Sequence, residues 1–326
     1  MSREKYIGGA FAKNDSVNFK VEEDSFHFFQ FPNKHLVGFE TGADALAWIL
    51  RNEIQDNNRP VYFPLHYCQE TIERVCLKVP DLDVKRYRSP TELSEKTAIV
   101  VWNHFNGFCP VPKDLLNISI TLIEDCVQSL KALHEQVGTT SFTSLRKWME
   151  LDLAVVVSNH NVQNYTAIPS KYFQEKKKAE ELKQLWKTGK ILDENEFLKQ
   201  FASAEKALQR PEIYFRSLEE LNSYNWNAIL AKRQTNARIL INFLKTSPAH
   251  LIETNELFVM IQIKERDQIR RLLAQAGIFA PVHWLDSEDK DLAKSLLSLP
   301  IDQRFDAADM ERIVTELKHG FNVSGI

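Results

Sequence analysis

The chain has 326 residues, 44% hydrophobic and 26% charged, an ordinary globular balance that excludes disorder and collagen-like repeats. Its net charge of −3 offers no basic field for nucleic acid. With only ten glycines it contains neither G-x-G-x-x-G nor G-x-x-x-x-G-K-[ST].

Four cysteines (Cys68, Cys76, Cys109, Cys126), none in a C-x-x-C pair, point to reduced thiols in a cytoplasmic protein. They do not suggest a disulfide scaffold, a zinc site or a redox dithiol. Residues 1–16 lack the apolar core of a secretory leader, and no apolar run approaches the roughly 20 residues that span a bilayer. Along the chain, Phe26–Phe31 (FHFFQF) reads as a strand or a docked aromatic arm. Thr41–Arg51 reads as a helix, with Ala45, Leu46, Ile49 and Leu50 on one stripe and Thr41 as its N-cap.

Pro60–Pro64, Leu82–Tyr87, Thr97–Asn103, Ser119–Glu124 and Ala154–Ser158 read as strands, with a helix at Tyr67–Lys78 among them. Their apolar runs are continuous rather than alternating, which predicts a sheet covered on both faces. Interleaved helices predict right-handed βαβ units and an α/β fold. Tyr172–Leu208 is helical and heavily charged; the mixed signs of KKKAEELKQLWK (Lys176–Lys187) fit a solvated face better than a binding site. Leu218–Leu244 is a second helical block, Phe258–Ile263 a strand, Arg266–Ala276 a helix closed by Gly277, and Phe305–Lys318 the last helix. The expected division is a large domain over 1–210, with an N-terminal arm, and a smaller α+β domain over 211–326.

Four features can carry chemistry, and each has a plainer reading. Glu124 and Asp125 end an apolar strand, where α/β sheets place ligands, but a carboxylate there can also be a helix cap. Ser144 and Lys147 form S-x-x-K, able to converge on one anion or to supply a nucleophilic amine; a surface lysine is the alternative. Thr41-Gly42-Ala43-Asp44 opens a helix whose N-terminal amides can hold a phosphate, or is simply a helix start. Leu65-His66-Tyr67 and Trp102–Gly107 put aromatic and polar groups after strands, as core residues or as site residues.

Taken together, the order and spacing of these features, with 22 residues from Asp125 to Lys147, resemble fold-type I pyridoxal phosphate enzymes. YIGGAFA, TGADALAWIL, FPLHYCQETI, VVWNHFNGF, LIEDCVQSL, TSLRKW, GIFAPVHW and LSLPIDQRFDAADMERIV resemble the DegT/DnrJ-type sugar aminotransferases nearly end to end. They are most similar to a short branch associated with cell-surface polysaccharide loci. The resemblance implies a mixed, mostly parallel central sheet between helices, a smaller C-terminal α+β domain, pyridoxal 5′-phosphate as cofactor and a homodimer. It implies a keto-sugar substrate, nucleotide-linked, with glutamate as amino donor.

By the same resemblance Lys147 is the Schiff-base lysine and proton shuttle, and Asp125 the partner of the ring nitrogen. Gln128 reaches the ring hydroxyl and Tyr67 stacks on the ring. Ser144 and the amides of Gly42 and Ala43 hold the phosphate, and His283 and Arg304 approach the substrate. Two departures stand out: Ala43 occupies a position where relatives often carry arginine, and Trp148–Val155 contains no glycine where the family usually has an acidic residue and two glycines. A drifted family member with a binding or regulatory role, or a different pyridoxal phosphate reaction on a small amine, is the alternative reading.

Overall fold

The computed structural model describes residues 6–21, 28–54, 59–93, 98–105, 107–160, 165–254 and 256–324. After a two-residue strand β1 (Ile7–Gly8) come β2 (His35–Phe39), α1 (Gly42–Glu53), β3 (Val61–Pro64), α2 (Gln69–Lys78) and β4 (Val84–Tyr87). Next are β5 (Ile99–Asn103), α3 (Lys113–Leu116), β6 (Thr121–Asp125), α4 (Leu130–His134), β7 (Thr140–Ser144) and β8 (Ala154–Ser158). Strands β2 to β8 form one seven-stranded sheet in the order β2-β8-β7-β6-β5-β3-β4. All run in one direction except β8, which is antiparallel to both neighbours. This is the mixed, mostly parallel α/β sheet that the sequence implies.

Successive residues of a strand point to opposite faces, and β8 shows why its run is continuously apolar. Val156 enters a core with Leu46, Phe63, Val101 and Ile123, which α1 and α2 cover. Val155 and Val157 enter the opposite core with Leu133, Leu145, Trp148 and Trp226.

Strand β7, TSFTS, is fully buried although four of its five residues are polar. Three of its four hydroxyls are engaged inside: Thr143 Oγ1 donates to the Cys126 carbonyl at 3.1 Å, Ser141 Oγ to Gln136 Oε1 at 2.7 Å, and Thr140 Oγ1 lies 3.3 Å from Ser158 Oγ. Hydrogen bonding, not hydrophobicity, lets this strand lie in the core, so an apolar-run criterion passes it by.

Helices α5 (Lys171–Lys187), α6 (Asn195–Lys206) and α7 (Trp226–Leu244) follow. The charged stretch predicted as one helical region is thus two helices, packed against each other. A second, antiparallel sheet has the order β12-β10-β9, built from β9 (His250–Thr254), β10 (Phe258–Gln262) and β12 (Leu296–Pro300). Helices α8 (Arg266–Gln275), α9 (Lys290–Ser295) and α10 (Ala307–Ser324) accompany it, and β11 (Ile278–Phe279) pairs with β1. The last helix starts at Ala307, two residues later than predicted. Asp306 and Asp309 exchange backbone-to-carboxylate hydrogen bonds of 3.0 and 3.1 Å, a reciprocal cap that sets its first turn.

Phe28, Phe29 and Phe31 form no strand. They dock, Phe29 edge-on to Trp226 at 5.2 Å and Phe31 stacked on His134 at 4.9 Å. Phe26 and His27 of that motif lie outside the described residues, as do Thr97 and Asn106. Among the described residues no helix is long and apolar enough to cross a membrane.

Candidate active site

Three neighbouring parallel strands place the chemistry. At the carboxyl ends of β5 and β6, Asn103 stands directly beside Asp125, and Asp125 beside Phe142 of β7. One tight turn after β7 (Leu145–Lys147) presents Lys147. The 22-residue interval is therefore a single β6–α4–β7 crossover, which returns the chain to the same sheet edge. The N-terminus of α1 rests on that edge: a Cβ at Gly42 would lie 3.5 Å from Ser144 Cβ and 3.8 Å from Val127 Cγ2.

Of the adjacent carboxylates, only Asp125 faces the cavity. Glu124 faces the other way and is consumed by structure. It takes the N–H groups of Val137 and Gly138 at 2.7 and 2.6 Å and lies 2.9 Å from His104 Nε2. The Cys109 N–H donates to His104 Nδ1, which leaves the ring proton on Nε2, directed at Glu124. On the cavity side, Asp125 Oδ2 accepts the Tyr67 hydroxyl at 2.6 Å and Oδ1 the Val127 N–H at 2.9 Å. Burial pushes the Asp125 carboxyl up, and those two donors with Lys147 oppose the rise. Burial and the neighbouring Asp125 push the Tyr67 phenol far up, so it stays a donor. Burial pushes the Lys147 ammonium below the ordinary lysine value, against the pull of Cys68 and Asp125. That shift favours the neutral, nucleophilic form of the amine.

The other end is built for an anion. Thr41 caps α1 by accepting the Asp44 N–H at 3.1 Å, which leaves the first amides, Gly42 and Ala43, at the positive end of the helix. Arg74 of α2, Ser144 and Arg146 line the same cavity as Thr41, Gly42 and Ala43. Tyr67, Asn103, Asp125, Gln128, Lys147 and Trp284 complete it. Lys147 and Arg146 also line a larger cleft of about 610 Å³, walled by Arg233, Phe258, Pro281, His283, Asp302 and Arg304.

The structure thus gathers Gly42, Ala43, Tyr67, Asp125, Gln128, Ser144 and Lys147 around one cavity, with His283 in the adjoining cleft. His283 Nδ1 lies 2.9 Å from Ser298 Oγ; burial, with Lys147 and His66 nearby, lowers its pKa to about 3, so the ring is neutral. Arg304 walls the same cleft, with its guanidinium tied to the protein. Asp302 holds its guanidinium with two contacts of 2.7 and 3.0 Å, and Asp15 and the Gly9 and Ala10 carbonyls take the rest. It fastens the N-terminal segment to the turn after β12.

Arg74, Arg146 and Trp284 join the site without having been singled out as site residues, and Asn103 joins it from the candidate stretch Trp102–Gly107. Asn103 had a usable signal, since it ends the strand beside Asp125 and its Nδ2 is buried without a hydrogen-bond partner. Arg74 sits mid-helix and had none.

The glycine-free stretch after Lys147 is an anchor. Trp148, Met149, Leu151 and Leu153 are buried. Trp148 Nε1 donates to the Val127 carbonyl at 3.2 Å, and its own carbonyl receives Arg233 and Gln303, each at 2.8 Å. Asp152 accepts the Tyr172 hydroxyl at 3.1 Å and Lys176 at 2.9 Å. Bulky side chains hold this turn in place without glycine.

The donor set matches one kind of ligand: a planar ring with a basic nitrogen toward Asp125, an anionic group toward α1 and a carbonyl toward Lys147. The inner cavity has about 50 Å³ of open space, and the Tyr67 hydroxyl occupies Asp125 Oδ2. A ring nitrogen would share Asp125 with that hydroxyl or replace it.

No family model and no curated protein sequence matches the chain. Solved structures do. Spr1654 of Streptococcus pneumoniae, described as a proposed sugar aminotransferase and solved in its PMP form, superposes with a TM-score of 0.65 at 13% identity, over 99% of this chain and 100% of that one. Helicobacter pylori PseC, an aminotransferase of pseudoaminic acid biosynthesis, gives 0.64 at 14% identity, over 98% and 100%. A DegT/DnrJ/EryC1/StrS aminotransferase of Brucella abortus gives 0.54 at 13%, over 97% and 91%.

The chain has the fold of these aminotransferases. The fold-type I architecture implied by the sequence is present along nearly its whole length.

Proposed function

We propose that the protein is a pyridoxal 5′-phosphate-dependent aminotransferase acting on a keto sugar. One observation carries the reading: Lys147, Asp125 and an anion-binding helix end share one cavity, on a fold shared with sugar aminotransferases. When bound, the cofactor supplies an electron sink for the carbon whose proton is moved. Asp125 would hold the ring nitrogen and, through its negative charge, favour that nitrogen's protonated form. In the cofactor-free protein the Tyr67 hydroxyl satisfies Asp125 Oδ2. Gly42 and Ala43 N–H with Ser144 would anchor the phosphate, and Gln128 and Asn103 of the same cavity would contact the ring. Lys147 lines both the inner cavity and the cleft, so its Nζ can take a proton from a substrate in the cleft and return it. Neutral His283 borders that cleft as a substrate contact.

The finer reading keeps a nucleotide-linked keto sugar, glutamate as donor, a role in cell-surface polysaccharide biosynthesis and a cytoplasmic homodimer. It keeps the division into 1–210 and 211–326. Support comes from the sequence motifs and from the sugar aminotransferases among the structural neighbours.

The test is direct. Protein mixed with pyridoxal 5′-phosphate should turn yellow, and borohydride should fix the label on the peptide containing Lys147. Lys147→Ala should take no label. A wild-type protein that stays colourless with excess cofactor sinks the reading in favour of a binding or regulatory role. Transfer of ¹⁵N from glutamate to a nucleotide-linked keto sugar then separates this activity from a reaction on a small amine.

A further inference from the structure

At the anion end, three charged side chains from three separate elements meet. Arg74 of α2 has only 6% of its side chain exposed, and its Nε is buried without a hydrogen-bond partner. Its NH2 donates to Glu205 Oε2 at 2.9 Å. Arg146, one residue before Lys147, lies 3.6 Å from Glu205 Oε1 and donates to the Tyr172 hydroxyl at 3.2 Å. Both arginines line the cavity with Gly42, Ala43 and Ser144. Glu205, in the last turn of α6, is 49% exposed.

The two sides of this triad are unequal. The arginines are held by burial and by a fixed partner: Arg74 is nearly fully buried, its NH2 shared between Glu205 and a similarly exposed Glu70, and Tyr172, fixed by Asp152, takes Arg146. The glutamate is half in water, where an ion pair contributes little and can be released cheaply. A phosphate group offers more charge and more acceptor oxygens than a carboxylate, and it can engage both guanidinium groups and the helix amides at once.

We propose that Arg74 and Arg146 form the cationic wall of the phosphate site, and that Glu205 is a carboxylate latch which bridges them until a phosphate displaces it. Naming the phosphate as that of the cofactor rests on the function proposed above. The anion-binding claim itself needs only the triad, the helix end and the buried Nε.

The experiment titrates the full-length, cofactor-free protein with inorganic phosphate, pyridoxal 5′-phosphate and phosphate-free pyridoxal, by calorimetry and by visible absorbance. Glu205→Gln should tighten inorganic phosphate and pyridoxal 5′-phosphate by about three- to tenfold, because a competing negative charge is gone. Pyridoxal should bind as before. Unchanged or weaker phosphate binding overturns the latch. Arg74→Gln should weaken both phosphate-bearing probes by about tenfold or more, again sparing pyridoxal. An equal loss for pyridoxal overturns the clamp, because it would mark general damage to the site. Glu205 is half exposed, so its variant keeps the test decisive even if Arg74→Gln fails to fold. A wild-type chain that takes neither pyridoxal nor its phosphate defeats the proposed function, while the inorganic phosphate titration still decides the latch.

Discussion

The two ends of the inner cavity differ in how completely the protein satisfies itself. At the acid end both Asp125 oxygens are already engaged, by Tyr67 and by the Val127 amide. At the anion end the Gly42 and Ala43 amides open α1, Arg74 Nε has no partner, and a half-exposed glutamate pairs with the cavity's arginines. The acid end is thus part of the folded core, whereas the anion end is a set of donors awaiting a ligand. Substitutions at the first should appear in stability, and at the second in affinity.

The largest effect is expected from Asp125→Ala. It strands the Tyr67 hydroxyl and the Val127 N–H in a buried site, which should cost about 2–4 kcal/mol in urea unfolding, and it removes the partner of the ring nitrogen. Tyr67→Phe should cost about 1–2 kcal/mol in the cofactor-free protein while leaving cofactor affinity unchanged or tighter, because the ring nitrogen replaces the lost hydroxyl. Weaker affinity would show that the hydroxyl acts in the loaded state. Ser144→Ala should invert the pattern, with stability within about 0.5 kcal/mol of wild type and phosphate-dependent affinity reduced about tenfold.

The smallest effect concerns pH. Burial lowers the Lys147 pKa in the folded chain, so protonation favours the unfolded state. The resulting penalty is fully present at pH values below the folded pKa. It is relieved as pH rises through that value toward the ordinary 10.5. Lys147→Met should therefore raise the Tm of the cofactor-free protein at neutral pH, by an amount that shrinks toward pH 10.5. A gain independent of pH would mean that packing, not charge, is the cause.

Much of the fold was legible because burial on both faces of a sheet demands continuous apolar strands, as in Val100–Val101 and Val155–Val157. Strand β7 was not, because four of its five residues are polar and internal hydrogen bonds, not an apolar run, keep it buried. Phe26–Phe31 reads as a strand or a docked arm, and its described residues take the second form because Trp226 and His134 receive Phe29 and Phe31. Arg304 shows what a motif leaves out. It lines the cleft beside Lys147, as its motif suggested, yet its guanidinium is also engaged by Asp302 and by Asp15, the latter nearly 300 residues away in the chain.

By itself, the sequence determined the local chemistry: a capped helix start at Thr41, a carboxylate at a strand end, and an amine one crossover later. These depend on short-range patterns, so spacing alone could express them. The family motif pointed to Asp125 rather than Glu124, but the physical reason is tertiary, because strand alternation has no meaning until the two faces are assigned. Only the tertiary structure brought Arg74, Arg146 and Glu205 together from three elements. Only it turned the missing glycines after Lys147 into an anchor, since the contacts that hold Trp148 come from Val127, Arg233 and Gln303. Hydrogen bonds between residues far apart in sequence leave no periodic trace in the chain, and here they set what the site can hold.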